Sequence, residues 1–452
     1  MKKIIILLIA GLLSVSLAFA EKAPSGTDAV FINMADTHSA YDAYPRILTV
    51  LTEFADDNEG IPLFVLFDGD LFELGNATAA RTGGKADWIF LERICSMAKV
   101  IVNIGNHEFD FMTPREFIEE AEKTGASIIT TISDASSGKL LAPSSMTLSI
   151  DGRKIEVVGV ATDQMNTYPK DLRESLQIPE PVAWAASNYA DAVRGTDFSI
   201  LLSHAGVVAD RGIIASLPDD VLFTVGGHDH LVLREKVNDT VYMHNGFRGE
   251  MLNFVYVSLD SPEAVIGFND VKITPDISAD RDMERIIKAN RTAALTAEDL
   301  EPVGVVPRDY TVLEAAMWSV ETLRKEMNAD AAFLNHTSFG SGLKKGPLPK
   351  YLFDQFMRFD NDVMVATVDG DTLKTILSVA NQHRGTSLGD RTGDFVYSND
   401  ITPRAGRTYR IVTSSWVALP FNLMRYLNTT DVTFEKVEGV TTKQILSDEL
   451  NR

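Results

Sequence analysis

Five short clusters along the chain collect side chains of the kinds that bind metal ions. They are Asp36-Thr37-His38, Asp68-Gly69-Asp70, Gly105-Asn106-His107-Glu108-Phe109-Asp110, Ser203-His204-Ala205-Gly206 and Gly226-Gly227-His228-Asp229-His230. Five of the eight histidines lie in them. Asp36, His38, Asp70, Asn106, His204, His228 and His230 supply more donors than one four- to six-coordinate ion needs, and they suit two ions sharing a carboxylate. Mixed imidazole and oxygen donors without thiolate favour two divalent ions such as zinc, manganese, cobalt or iron over a calcium cage. Such a pair, about 3.5–4 Å apart, clamps a phosphoryl group and lowers the pKa of a bound water towards about 7. Asp36 and His38 stand two apart, as do His228 and His230, so in extended backbone each pair points to one side. Singly, an Asp-Gly-Asp or Gly-Asn-His is turn chemistry, and His204 alone is a hydrogen-bonded loop histidine. Five clusters in a row, each closing an apolar run, point instead to one shared site.

Two neighbours add acid–base capacity. His107, if protonated, would stabilise developing negative charge or assist a leaving oxygen. Asp110, three residues on, would hold that imidazole and favour its charged form, although an aspartate there also suits a helix cap. Glu108 reads as structural and Asp68 as a support behind the donors, while His244, His336 and His383 fit no metal motif.

The elements that must position these residues are legible as apolar runs at 29–35 (AVFINMA), 62–67 (PLFVLF), 99–104 (KVIVNI), 198–203 (FSILLS) and 221–225 (VLFTV). Amphipathic stretches at 44–54 and 87–97 alternate with them, which predicts a layered α/β or α+β domain. In such folds the loops at the carboxyl ends of the strands converge on one crevice. A charged, helix-patterned connector spans 275–295, and a second unit follows with a helix at 310–327 and strands at 362–368 and 409–413.

The chain has 452 residues, 45% of them hydrophobic, enough for two or three domains with real cores and too apolar for intrinsic disorder. Cys95 is the one cysteine, so no disulfide forms within the chain; near Trp88, Phe90 and Ile94 it reads as core filling. Sixty-three acidic against 42 basic residues give −21, which argues against a nucleic-acid polymer or an anionic membrane as partner. Lys2 and Lys3, an apolar run from Ile4 and Ala18-Phe19-Ala20 read as a cleaved secretory signal. Its removal takes the charge from −21 to −23. With no second long apolar run, the remainder is predicted to be a soluble chain exported to the periplasm or medium.

The ordered motifs Asp-x-His, Gly-Asp, Gly-Asn-His-Glu, Ser-His and Gly-His-x-His resemble the calcineurin-like metallophosphoesterases. The form Gly-Asn-His-Glu-Phe-Asp is similar to that of the secreted 5′-nucleotidase and UDP-sugar hydrolase family. The resemblance implies a signal peptide (1–20), a four-layer metallophosphoesterase β-sandwich flanked by helices (27–260), a helical connector (261–301) and a smaller α/β domain carrying substrate specificity (302–452). It implies one metal on Asp36, His38 and His230, another on Asn106, His204 and His228, Asp70 between them, and catalytic roles for His107 and Asp110. Asn106, Asn335, Phe359 and Asn361 would contact a small phosphorylated substrate, a nucleotide in this family; the other reading of Phe359 is core packing. Two departures stand out. Gly340 occupies the family's phosphate-binding arginine position, with Lys344, Lys345 or Arg358 as substitutes, and the second base-stacking element is altered around Trp416, Phe421 and Tyr426. The function expected is hydrolysis of nucleotide phosphate esters by a hydroxide generated at the metals. Nucleotide sugars or cyclic nucleotides are alternative substrates, and a non-catalytic nucleotide or sugar-phosphate binder is the other alternative.

Overall fold

A computed structural model describes residues 21–452 apart from 219, 239 and 262; the expected signal, 1–20, lies outside the described residues. The five apolar runs become strands Ala29–Met34, Leu63–Asp68, Lys99–Asn103, Phe198–His204 and Val221–Gly226. Their apolar residues are continuous because both faces are covered. Val30, Ile32, Met34, Val65 and Phe67 pack against helices, whereas Ala29, Phe31, Phe64 and Leu66 pack between two sheets.

The first sheet runs Val265–Lys272, Met251–Val257, Ala29–Met34, Leu63–Asp68, Lys99–Asn103, Ser127–Ile129. The second runs Val232–Val237, Thr240–Asn245, Val221–Gly226, Phe198–His204, Arg153–Ala161, Ser145–Ile150. The site-bearing neighbours within each sheet pair in parallel, so their carboxyl ends fall on one edge. Helices Tyr44–Asp57, Lys85–Cys95, Pro114–Thr124 and Arg281–Ala294 cover the first sheet; Pro181–Ala192 and Val207–Ile214 cover the second. This is the expected four-layer sandwich.

Local chemistry sets the helix ends. Thr113 and Glu116 form a reciprocal capping box before Pro114, and Gly125, at φ 96°, closes that helix in the left-handed region. The connector helix Arg281–Ala294 starts at Asp280, whose carboxylate accepts from Met283 N and pairs with Arg93 at 2.5 Å. Met283 and Ile287 are buried in the first core, so this helix is docked along the sandwich. Cys95 ends its helix half-buried, packed against the same core.

The second unit has a five-stranded sheet in the order Val396–Ser398, Ala331–Asn335, Thr408–Ser414, Asp362–Asp369, Glu435–Thr441. Helices Val312–Glu326, Lys350–Phe356 and Thr442–Leu450 lie on one face, Gly370–Val379 and Pro420–Leu427 on the other. The core on the first face takes in Val207, Leu231, Leu233 and Tyr242 from the sandwich, so apolar packing joins the two units. No described helix is long and apolar enough to cross a membrane.

Candidate metal centre and cleft

Strand-end loops continue the sheet ladder beyond the strands and thereby aim the donors. Asp36 N–H donates to Gly69 O at 2.9 Å, His38 N–H to Asp70 O at 3.0 Å, and Gly227 N–H to Ser203 O at 3.1 Å. Spacing alone predicts extended backbone at the paired positions, and the structure differs. Asp36 (φ 49°), His38 (46°), Asp70 (59°), His228 (77°) and His230 (56°) all adopt the left-handed region. Such conformations are costly for residues with a Cβ and persist where the surroundings over-determine them, typically at functional sites. The turns, rather than strand alternation, bring each pair to one side.

All seven donor candidates converge. His38 Nε2 lies 2.9 Å from His230 Nε2, and Asp36 Oδ1 lies 3.8 and 3.6 Å from those two nitrogens. On the other side His204 Nε2 is 3.2 Å from Asp70 Oδ2, and His228 Nδ1 is 2.8 Å from Asn106 Oδ1. Asp70 Oδ2 is also 3.7 Å from His38 Nε2, which places its carboxylate between the two groups. Asp36–His38–His230 and Asp70–His204–His228 each gather ligand atoms within 4.8 Å.

The chemistry of this donor set fits metal. His38 Nδ1 donates to Phe72 O (3.2 Å) and His204 Nδ1 to Asp68 O (2.6 Å), which fixes both tautomers and turns the Nε2 lone pairs inward. His204 Nε2 is buried and accepts no hydrogen bond. Burial, together with the Arg358 guanidinium, pushes the His38 imidazole down to about 3, and burial likewise holds His228 and His230 well below the usual histidine range. Three of the four imidazoles are thus held in the neutral form that binds metal, whereas at His204 burial is outweighed by the Asp70 carboxylate, with Asp36 and Asp68, which raise its pKa. Space is also matched: a Cβ at Gly105 would fall on the Asp70 carboxylate and 2.8 Å from His204 Nε2, and one at Gly69 would sit 2.7 Å from His204 Nδ1.

His107 stands beside this cluster. Its N–H donates to Asp70 Oδ1 at 2.8 Å and its Nδ1–H to Asp110 Oδ2 at 2.9 Å. Burial opposes the imidazolium, but the Asp110 and Asp70 carboxylates outweigh it and raise the pKa to about 9. Asp110 also accepts from Leu74 N, and Thr113 caps the following helix, so Asp110 is not a helix cap. Glu108 ties two loops through Leu71 N and Gly105 N, both at 2.7 Å, as a structural residue would. Asp68 accepts from Asn103 Nδ2 at 2.7 Å, and Asn103 reaches across to Val160 O of the second sheet at 2.9 Å.

A cleft of ≈430 Å³ opens from Asp70, Asn106, His107, His228 and His230 towards the second unit. Phe359, Asn361, Trp416 and Tyr426 line it; Asn335 and Phe421 do not. Phe359 is 41% exposed, so core packing does not account for it. Asn335 is buried and spends its amide on Thr337 Oγ1 (2.8 Å) and Ser338 Oγ (2.7 Å), shaping its own turn.

Sequence reasoning named Arg358 only as one of three substitutes at the Gly340 position, and it missed Glu73, Lys170, Arg173 and Arg425, which acquire meaning only by juxtaposition. Arg358 is buried with its Nε 2.6 Å from Glu73 Oε2 of the first unit, its Nη1 3.2 Å from Thr337 O and its Nη2 3.4 Å from His107 Nε2. Its stem lies over Gly340, where an added Cβ would meet Arg358 Cγ at 3.1 Å. Arg425 lines the cleft while paired with Asp394 and Gln164, and Lys170 and Arg173 come from the loop around Tyr168. His336, with no role apparent in the sequence, joins the units: its Nε2–H donates to Asp229 O (3.1 Å), while Nδ1 accepts from Phe395 N–H (3.5 Å).

A four-layer sandwich with this edge cluster, completed by a second α/β unit, defines a two-domain metallophosphoesterase architecture. Residues 29–232 match the family Calcineurin-like phosphoesterase. An apyrase of Aedes aegypti is 29% identical over 210 residues, a stretch that covers 42% of this chain and 33% of that protein's length. Among solved structures, a 5′-nucleotidase precursor of Thermus thermophilus superposes with TM-score 0.63 at 16% identity, covering 93% of this chain and 96% of its own. The 5′-nucleotidase of Candida albicans gives 0.66 at 13% identity (96% and 100% covered). The sulfate thiohydrolase SoxB of Thermus thermophilus gives 0.68 at 12% identity (95% and 95% covered). At these identities the superpositions establish the two-domain fold.

Proposed function

We propose that the protein is an exported phosphoesterase of the 5′-nucleotidase type, acting on a nucleotide phosphate ester with two divalent ions. Asp36, His38 and His230 would hold one ion, Asn106, His204 and His228 the other, and Asp70 both. When bound, the ions supply Lewis acidity at phosphorus and an acidified water. The chain's own residues do the rest. Asp110 orients the His107 ring through Nδ1–H and favours its imidazolium form, so that Nε2–H donates to a phosphoryl oxygen or to the leaving oxygen. Arg358 Nη2 converges on the same point and takes the charge-binding role that Gly340 leaves open, with a planar fork suited to phosphate. Phe359 offers an exposed ring face for a base, with Trp416 and Asn361 nearby, and Lys170 and Arg173 place further positive charge along the cleft.

The observation that carries this reading is the convergence of His107 Nε2 and Arg358 Nη2, 3.4 Å apart, beside the seven-donor cluster. A pure binder has no need of an oriented imidazolium next to its metal ligands. The test is phosphate release by protein loaded with manganese, cobalt or zinc, across AMP, ADP, a UDP-sugar, a cyclic nucleotide and a non-nucleotide ester. Release from AMP with the highest kcat/KM supports it. Release from no ester overturns the enzyme reading, and preference for the non-nucleotide ester overturns the nucleotide.

A further inference from the structure

A second cavity, of ≈170 Å³, lies between the two units and shares one lining residue, His230, with the cleft. Leu231 and Phe247 of the sandwich form one side; His383, Arg391, Phe395 and Tyr397 of the second unit form the other. In a chain of net charge −21, no Asp or Glu appears among the described lining residues.

Two donors in this cavity have no partner. His383 Nε2 accepts from Arg384 Nε at 3.2 Å, so the ring proton resides on Nδ1, and Nδ1 is buried without a hydrogen bond. Arg391 Nε is buried and unpaired as well. Orphaned buried donors are rare in native proteins and mark a place where water, an ion or a ligand completes the set. The surroundings are positive: burial first, then Arg384, Arg391 and His336, lower the His383 pKa to about 4. The remaining walls are largely apolar, with Gln382, His336 and His230 as the polar exceptions; the Phe395 and Tyr397 rings meet edge-on at 5.2 Å, and Phe247 stacks on His230 at 4.8 Å. A cavity of about 150 Å³ admits a benzene ring.

We propose that this cavity is a second binding site, for a small aromatic carboxylate. Arg391 Nε–H and His383 Nδ1–H donate to the carboxylate, and Phe247, Phe395 and Tyr397 enclose the ring. Because both units contribute walls, an occupant ties them in the present arrangement. This site stands independently of the reaction assigned to the cleft.

Calorimetric titration of benzoate, and separately of inorganic phosphate, into the metal-loaded full chain tests it. Benzoate should bind at one site. Arg391→Gln and His383→Ala should each weaken it at least about tenfold, the loss of one charge-assisted hydrogen bond, whereas Phe359→Ala in the cleft should leave it unchanged. Both substituted residues are partly exposed, so either variant alone carries the test. No benzoate binding, or binding lost in Phe359→Ala and kept in the other two, overturns the proposal. Phosphate that displaces benzoate at equal affinity, and whose displacing site is lost in Arg391→Gln but kept in Phe359→Ala, overturns the requirement for a ring.

Discussion

Arg358→Met separates two roles that the structure superimposes on one guanidinium. Arg358 neutralises Glu73, 2.6 Å away, with both side chains almost fully buried (3% and 4% exposed). It also presents Nη2 to the point that His107 Nε2 faces. Losing an oriented donor to developing charge costs about 10²–10³ in rate, ~2.7–4 kcal/mol. Stranding a buried carboxylate costs about 3–5 kcal/mol of stability. The burial penalty on Glu73 is at present outweighed chiefly by the Arg358 guanidinium, with His107 adding to it, which holds its pKa near 2. Arg358→Met should therefore lower both kcat/KM for phosphate release and the melting temperature. Glu73→Gln combined with Arg358→Met removes both charges, so the melting temperature should recover while kcat/KM stays low. Phosphate-release kinetics and calorimetric melting on the three proteins decide the matter. If the double variant regains activity, Arg358 serves only to neutralise Glu73 and does not bind phosphate. A single variant within about threefold of the parent would refute phosphate binding more directly, since the loss predicted for one donor is at least ~10²-fold.

Individual contacts lead to three more expected outcomes. His107→Asn should reduce kcat by about 10²–10⁴ with metal content unchanged, because its Nδ1 is engaged by Asp110 although the ring also lies within reach of His38 and Asp70; co-loss of metal, read by elemental analysis, would contradict this. Gly105→Ala should lower metal content and melting temperature together, since the new Cβ lands on Asp70 and beside His204; full metal loading of the variant would show that the cradle yields. Asp87 is buried under the hydroxyls of Tyr41 (2.7 Å) and Tyr44 (2.9 Å), and burial raises its pKa to about 7 despite them. A carboxyl raised in the folded state contributes stability that is present below its unfolded pKa of about 4 and lost as pH rises through 7. Asp87→Asn should flatten the decline in melting temperature between about pH 4 and 8, worth up to ~4 kcal/mol; an unchanged profile would disprove the assignment.

Strand positions were legible because apolar runs buried on two faces announce themselves without periodicity. The observed strands Ala29–Met34 and Val221–Gly226 sit within a residue of the runs read from the sequence. The metal-type residues were legible because Asp, Asn and His gathered after five successive apolar runs suit a shared ligand site far better than five unrelated turns. The backbone at those residues was not. Extended pairing was the simplest geometry for residues two apart, yet Asp36, His38, His228 and His230 are left-handed. Long-range hydrogen bonds hold these turns: Asp36 N–H to Gly69 O, His38 N–H to Asp70 O, and His228 N–H to Asp36 Oδ1.

Residue type and local order were enough to specify which chemistry was available: seven donors, an imidazole with a nearby carboxylate, and layered elements to carry them. Packing in three dimensions selected which of the surrounding residues share the site. Glu73 and Arg358 are 2.6 Å apart across two units, and so are joined by no local pattern. Asn335, in a family-like loop, turns inward and is satisfied by its own neighbours, while Arg358 rises over Gly340 into the cleft. Long-range packing fixes such contacts, because a buried charge must find its partner wherever the folded chain brings one within reach.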